Sequence, residues 1–546
     1  MGSTFMGLET SKRGLYTQQS ALYTTGHNIS NANTIGYSRQ RVNMEATLGY
    51  PGTGLNAPKI PGHLGTGVQA GSVQRIRDTF IDNQYRQESN KLGYWESRSQ
   101  AITQMEDVLN EPSDYGLAKS MDEFWKSLQD LSVNPENGGA RSVVVQRGIA
   151  VADSFNYLSK SITQIQENAG KEIGISLKDV NSIIEQIASI NEQIKAIEPN
   201  GYMPNDLYDA RDTLLDELST YFPIETKNEP SGGNALAIAE GSVTVSLKLK
   251  DGTTLKLIDG KDFAQMRTFG DNKEKDGITP TGNVEGFYIV KVDTDGKDIN
   301  LSNDWKDPTP TNPEKQTITN FSDLGKLKSL VNSYGYESGD ATNPVKGLYT
   351  DMLAKLDKMA EAFAKEFNKI HMGDPADTAN YPQGSDIYGK QGEVFFINKD
   401  DDTGAGITAK NIYISSDIIT DPGKVVASDS KPGDAEPGNG KFALKLANMK
   451  FTSLDDLGKV SAQTYFEGLI GQLGVDGQQA TRLAFNSATL QQAVTERRAS
   501  VSSVSLDEEM TNMIIFQQAY NASARMITVV DETLDKIING MGRVGL

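Results

Sequence analysis

Leucine and its equivalents recur every seventh residue at both ends of the chain, which predicts a long helix at each terminus with one narrow apolar seam. Near the start the positions are Leu8, Leu15, Leu22 and Ile29. Near the end they are Leu506, Met513, Tyr520, Ile527, Leu534 and Met541, with Phe516, Val530 and Ile537 three residues after Met513, Ile527 and Leu534. A strict seven-residue repeat keeps one stripe turned toward a neighbouring helix. Stripes at helical spacing are more often ordinary core than assembly surface, but these two lie at the extremes of the chain and bring too little core to stand alone. Six to eight such side chains buried between subunits contribute roughly 10 to 20 kcal/mol before ordering entropy, at about 1.5 to 3 kcal/mol each. The expectation is a chain that polymerises through paired termini.

Between the seams the period changes several times. The first helix should run from about Ser3 to Asn33, weakened by Gly7, Gly14 and Gly26 at about 1 kcal/mol each. The run NISNANTIGY ends it, with Asn28, Ser30, Asn31, Asn33, Gly36 and Tyr37 supplying local side-chain bonds and positive φ. A Gly- and Pro-rich stretch from Gly49 to Gly71 suits an extended arm. Helical spacing returns at Leu92, Trp95, Ile102, Met105 and Leu109, and again from Leu117 to Leu131. From about Gly139 to Glu198 it continues as one long helix, or as two with a break near Gly170 to Gly174, until Pro199, Gly201 and Pro204 stop it. Residues 205–220 form a short amphipathic helix. After Pro223 the segments Ser242 to Lys250 and Thr254 to Ile258 alternate apolar with polar residues around the turn Lys250-Asp251-Gly252, as a hairpin does. Later, Leu353, Leu356, Met359, Phe363 and Phe367 share a helical stripe.

The chain therefore reads as an α+β multidomain protein with coiled-coil-like terminal helices, a helical rod domain and inserted β-rich outer domains. Residues 1–40 and 505–546 are the paired terminal helices and 41–85 the arm. Residues 86–224, 321–372 and 453–504 make the rod, and 225–320 and 373–452 the two β-rich insertions.

Composition narrows the chemistry. A formal charge of -19 over 546 residues disfavours nucleic acid and acidic membrane surfaces as partners. The absence of cysteine removes disulfides, thiolate metal sites and thiol catalysis. No run of the sequence is long and apolar enough for a bilayer, and the start lacks the pattern of a cleaved secretory signal, so export would use another route. His27, His63 and His371 are the only histidines and none has another nearby, a poor basis for a zinc or hydrolytic site. Two GxGxxA strings, beginning at Gly52 and Gly65, neither follow a predicted strand nor open a helix, so they belong to the arm rather than to a dinucleotide site. Asp293, Asp295 and Asp298, and Asp400 to Asp402, lack the EF-hand register and fit turns. Ser505 and Glu508 have capping-box spacing, so the acids after Leu506 start a helix. No catalytic site, metal or cofactor is expected.

The stretch TGHNISNANTIGYSRQ, Thr25 to Gln40, closely resembles the N-terminal signature of the bacterial flagellar rod, hook and hook-associated proteins. Gly65, Gly67, Val68, Val73, Arg75, Asp78, Phe80, Gln84 and Arg86 look like that family's arm leading into its first long helix. Val504 to Ile538 is similar to the members at the hook-filament junction rather than to hook protein, and residues 205–219 fit them too. Ile35, where proline is common, and His27, where asparagine is frequent, are departures confined to the turn. The resemblance implies a non-enzymatic structural adaptor that leaves the cell through the flagellar export apparatus without a cleaved signal and assembles as a ring. Its implied partners are copies of itself, hook protein, the second junction protein and an export chaperone on the C-terminal seam; its implied place is the extracellular flagellum. The alternatives are an adhesin or host-recognition role for the β insertions, and a wall-degrading enzyme on an axial scaffold, for which the sequence offers no paired acid/base cleft.

Overall fold

The structure, a computed structural model, describes residues 5–51, 62, 64–109, 116–269, 278–292, 298–299, 314–322, 324–340, 344–374 and 381–540. Helix α1 (Met6–Ser30) leads into a hairpin of β1 (Gln40–Ala46) and β2 (Val68–Arg75). The rod follows as α2 (Thr79–Val108), α3 (Leu117–Val133), α4 (Gly138–Ile197) and α5 (Asn205–Tyr221). Asp78 caps α2 by accepting from the Phe80 N–H, and Asn137 caps α4 by accepting from Gly139 and Ala140.

Helix α4 is continuous through Gly170 and Gly174. A Cβ at Gly170 would lie 2.9 Å from the Tyr334 ring and one at Gly174 2.2 Å from Thr279 Oγ1, so these glycines admit close neighbours instead of breaking the helix.

The first insertion is an antiparallel sheet of β3 (Ile224–Glu229), β4 (Ser242–Lys248), β5 (Thr254–Asp259), β6 (Asp262–Phe269), β7 (Gly286–Val292) and β8 (Asp298–Ile299), with β9 (Glu314–Thr317) also on β7. The chain then returns to helix in α6 (Lys326–Tyr334), passes a short ladder of β10 (Tyr336–Glu337) and β11 (Val345–Lys346), and enters α7 (Leu348–Met372). In the described part of 373–452 regular structure is sparser than the β-rich expectation. It comprises the three-residue strands β12 (Phe396–Asn398) and β13 (Ile412–Ile414), the helices α8 (Ser416–Thr420) and α9 (Lys441–Asn448), and single 3-10 turns. Two long helices, α10 (Ala462–Ser502) and α11 (Leu506–Asp535), close the chain.

Side chains of the rod explain why so little ladder is needed there. Asn368 of α7 donates to Phe396 O at 2.6 Å and accepts from the N–H groups of Phe395 and Phe396 at 3.0 and 2.8 Å, taking the place of a neighbouring strand. Asn156 donates to Ala409 O and Ile412 O, and Arg141 to Pro135 O, Gly423 O and Val425 O. His371 accepts from the Val426 N–H through Nε2 and contacts Glu393 O through Nδ1 at 2.7 Å. Helix α4 holds the first insertion in the same way: Asn181 pairs both ways with Met266, and Asn191 with Val243 and Gly260 O. Each bond satisfies a buried backbone group that would otherwise cost about 1 to 3 kcal/mol. Around them Phe124, Trp125, Phe155, Phe363, Phe367, Phe395 and Phe396 pack ring against ring, with centroids 4.9 to 6.4 Å apart.

Candidate assembly site at the terminal helix pair

Helices α1 and α11 pack against each other in antiparallel fashion. A Cβ on Gly7 would touch Val530 Cγ2 at 3.7 Å, one on Gly14 would lie 3.2 Å from Ser523 Oγ, and Asn28 bonds Glu509 at 3.1 Å. The same register sets Ala21 opposite Phe516. Small residues at heptad spacing on α1 thus let α11 approach closely.

Leu8, Leu15, Leu22 and Ile29 lie one residue, about 100°, further round α1 from that stripe, and all four are half-buried. Met513, Phe516, Tyr520, Ile527, Val530 and Leu534 are half-buried along α11. Leu506 and Ile537 stand exposed, and Met541 lies outside the described residues. On the flanks of α11 turned away from α1, Met510, Ile514, Ile515, Met526 and Val529 are 49 to 57% exposed. The outer face of α1 exposes Tyr16 and Tyr23.

The turn residues build an elbow at the base of the pair. Asn28 is buried; its amide donates to Gln40 O at 2.8 Å and to Glu509, while its oxygen accepts from the Gln40 N–H and the Tyr37 hydroxyl at 2.9 and 2.8 Å. Burial first, then the carboxylates of Asp206, Asp209 and Glu509, raise the Tyr37 pKa and keep its hydroxyl a donor. Ser30 donates to Gly26 O and Asn31 to His27 O, closing the last helical turn, whereas Asn33 is exposed. At Gly36, φ is +82° and a Cβ would sit 2.2 Å from Thr213 Oγ1, so both backbone and space demand glycine. Arg39 then reaches across to Glu508 and Glu509, each at 2.7 Å.

Beneath the elbow lies a buried ion cluster whose role the sequence pattern did not disclose. Arg75 of the arm meets Asp209 at 2.9 Å, Asp212 at 2.6 Å and Glu240 at 2.6 Å. Arg77 binds Asp82 at 2.6 Å, Arg86 binds Asp212 and Asp216, Arg211 binds Glu240, and Arg498 of α10 binds Asp82 and Asp216. Burial alone would raise the Asp212 carboxyl, but Arg77, Arg75 and Arg86 hold it well below the usual carboxylate range. Asp209, dominated by burial, goes the other way while it accepts from the Ser38 N–H at 2.9 Å. The cluster ties arm, rod and first insertion together at one point, and a missing partner would strand a buried charge. Its one legible signal was the acidic spacing Asp209, Asp212, Asp216 on a single helix face, opposite the Arg-x-Arg of the arm.

Comparison with known proteins bears on this arrangement. Residues 102–396 match the flagellar hook-associated protein FlgK helical domain, and residues 497–540 the flagellar basal body rod FlgEFG protein C-terminal family. Flagellar hook-associated protein 1 of Bacillus subtilis is 42% identical over 544 residues, covering 99% of both chains. The chain belongs to the flagellar hook-associated protein 1 family. Members of that family from Escherichia coli and Salmonella typhimurium are 26% and 24% identical, each across 96% of this chain. The solved flagellar hook junction protein FlgK from Burkholderia pseudomallei shares the fold, with a TM-score of 0.56 at 12% identity over 77% of this chain and all of that one. The flagellar hook-associated protein 1 family is one of structural flagellar components. Among the described residues no helix is long and apolar enough to cross a membrane, and no group of three or more His, Asp or Glu is arranged to hold a metal.

Proposed function

We propose that this chain is a structural adaptor joining the flagellar hook to the filament, assembled through the pair α1/α11. The observation that carries this reading is the state of α11: its one buried side chain among the described residues is Glu509, while large apolar residues line its flanks. Large apolar side chains standing exposed together along a helix mark an interaction surface, and here the cover comes from other subunits. Copies of this chain form the ring, with hook protein on one side and the second junction protein on the other. The chain works outside the cell, and before export a chaperone shields Met513, Phe516, Tyr520 and Ile527 in a groove suited to an amphipathic helix. It performs no catalysis, and its acidity leaves nucleic acid and membranes aside as partners. The adhesin alternative finds no support in the relatives.

Truncation at Ser505 tests this. Cells making the shortened chain should keep hooks, shed flagellin into the medium and lose the chaperone complex in a pull-down. Attached filaments on the truncated chain would overturn the proposal.

A further inference from the structure

A seam that repeats every seven residues does not define its own register. Moving α11 by one heptad, about 10 Å, sets Phe516 where Glu509 stands, Ser523 opposite Ala21 and Val530 opposite Gly14, and every apolar stripe still meets an apolar or small stripe. The first two turns of α11 oppose such a slip weakly, because Leu506 and Met510 are exposed and Glu509 is the one buried residue there. Melting those turns would supply the length.

We infer that Asn28, Glu509 and Arg39 form a register lock for the terminal helix pair. All four bonding positions of the Asn28 amide are filled, two of them by Gln40, one by Tyr37 and one by Glu509 at 3.1 Å. The second oxygen of Glu509 accepts from Arg39 Nε at 2.7 Å, and Glu509 is 2% exposed. Arg39 is itself fixed by backbone bonds from its N–H to Ser502 O at 2.9 Å and from the Ile76 N–H to its carbonyl at 2.7 Å. In the slipped register Phe516 would face the Asn28 amide and the Arg39 guanidinium, leaving a donor of the buried Asn28 and the half-buried guanidinium without Glu509, whereas the seam would lose little. A buried polar residue that sets register at some cost in stability is the best-attested use of such groups between helices.

The pairing lies within one chain and is read on the purified chain, so it stands or falls independently of the adaptor proposal. The chain has no cysteine, and an ideal Cβ on Gly14 lies 4.0 Å from Ser523 Cβ, within the span of about 3.5 to 4.5 Å that a disulfide bridges. Gly14→Cys with Ser523→Cys therefore reports the native register, and Gly14→Cys with Val530→Cys the slipped one. In the parent the first pair should oxidise and the second stay reduced. Adding Asn28→Leu and Glu509→Leu should raise the slipped cross-link about tenfold at unchanged helicity. Native cross-linking alone in that background would overturn the lock. If the double leucine variant loses helicity, Glu509→Gln, which keeps the shape and removes the charge, must raise the slipped product by itself; no rise overturns the lock as well. Leu15→Ala removes seam area without touching the lock and should leave the ratio unchanged. An equal shift with Leu15→Ala would assign register to apolar packing and refute the inference.

Discussion

Helices α4 and α11 carry similar apolar spacing and reach opposite states. Along α4 a side chain is buried at nearly every turn from Arg141 to Ile194, because rod helices and both insertions close over it. Along α11 the single buried side chain is that of Glu509, while the seam residues from Met513 to Leu534 are half-buried and the flanking apolar residues exposed. Periodicity therefore reports that a helix has a face to cover; what covers it depends on whether the same chain returns to that face. For α4 it returns repeatedly. For α11, among the described residues, α1 covers one side with Arg39 at its base, and the other flanks stay open.

The sharpest way to break this contrast is to damage each region and follow stability. Phe367→Ala opens the ring cluster shared with Phe124, Trp125, Phe363, Phe395 and Phe396 and should cost about 3 to 5 kcal/mol in urea unfolding followed by tryptophan fluorescence. A loss below about 1 kcal/mol would mean that the rod core is not closed as described.

Acid should act on the rod through His371. Burial, against the contact with Glu393 O, holds this imidazole at about 4, below its ordinary value of 6.5. The folded state thus favours the neutral ring. Its stabilisation is complete above pH 6.5 and is lost as pH falls from there toward 4, by about 3 kcal/mol in all. Subtracting the urea titration of His371→Asn from that of the parent should isolate this slope, and parallel titrations would refute it.

A smaller effect is expected from Asn191→Leu, which strips partners from Val243 and from Gly260 O and should lower stability by about 1 to 3 kcal/mol. Hydrogen exchange should rise first in β4; unchanged protection there would show that the amide is not what clips the sheet to α4.

Much of this division was legible in the sequence. The terminal heptads, the long helix from about Gly139, the hairpin around Asp251 and the turn at Asn28 to Tyr37 all follow from side-chain spacing or local backbone chemistry. Gly170 and Gly174 left a break in α4 open because the sequence does not show that Tyr334 and Thr279 press against them. Residues 373–452 looked β-rich because turn residues dominate; their backbone is satisfied by local turn bonds and, at several buried points, by Asn368, Asn156, Arg141 and His371 on distant helices, a relation with no local signature. Of the ion cluster only the acidic spacing on α5 was legible, since Arg75, Asp212, Glu240 and Arg498 meet only once the chain has folded. The placement of Asn28 against Glu509 joins residues near the two ends of the chain.

The central claim is that the outward flanks of α11 are assembly surface and contribute little to the isolated chain. Ile515→Asp with Val529→Asp tests it most directly, since both side chains are about half exposed, at 54% and 49%. Unfolding of the purified double variant should stay within about 0.5 kcal/mol of the parent. In cells making only this variant, hooks should form without filaments, and flagellin should appear in the medium. Normal filaments on the double variant, or a large loss of stability in the isolated chain, would contradict the account.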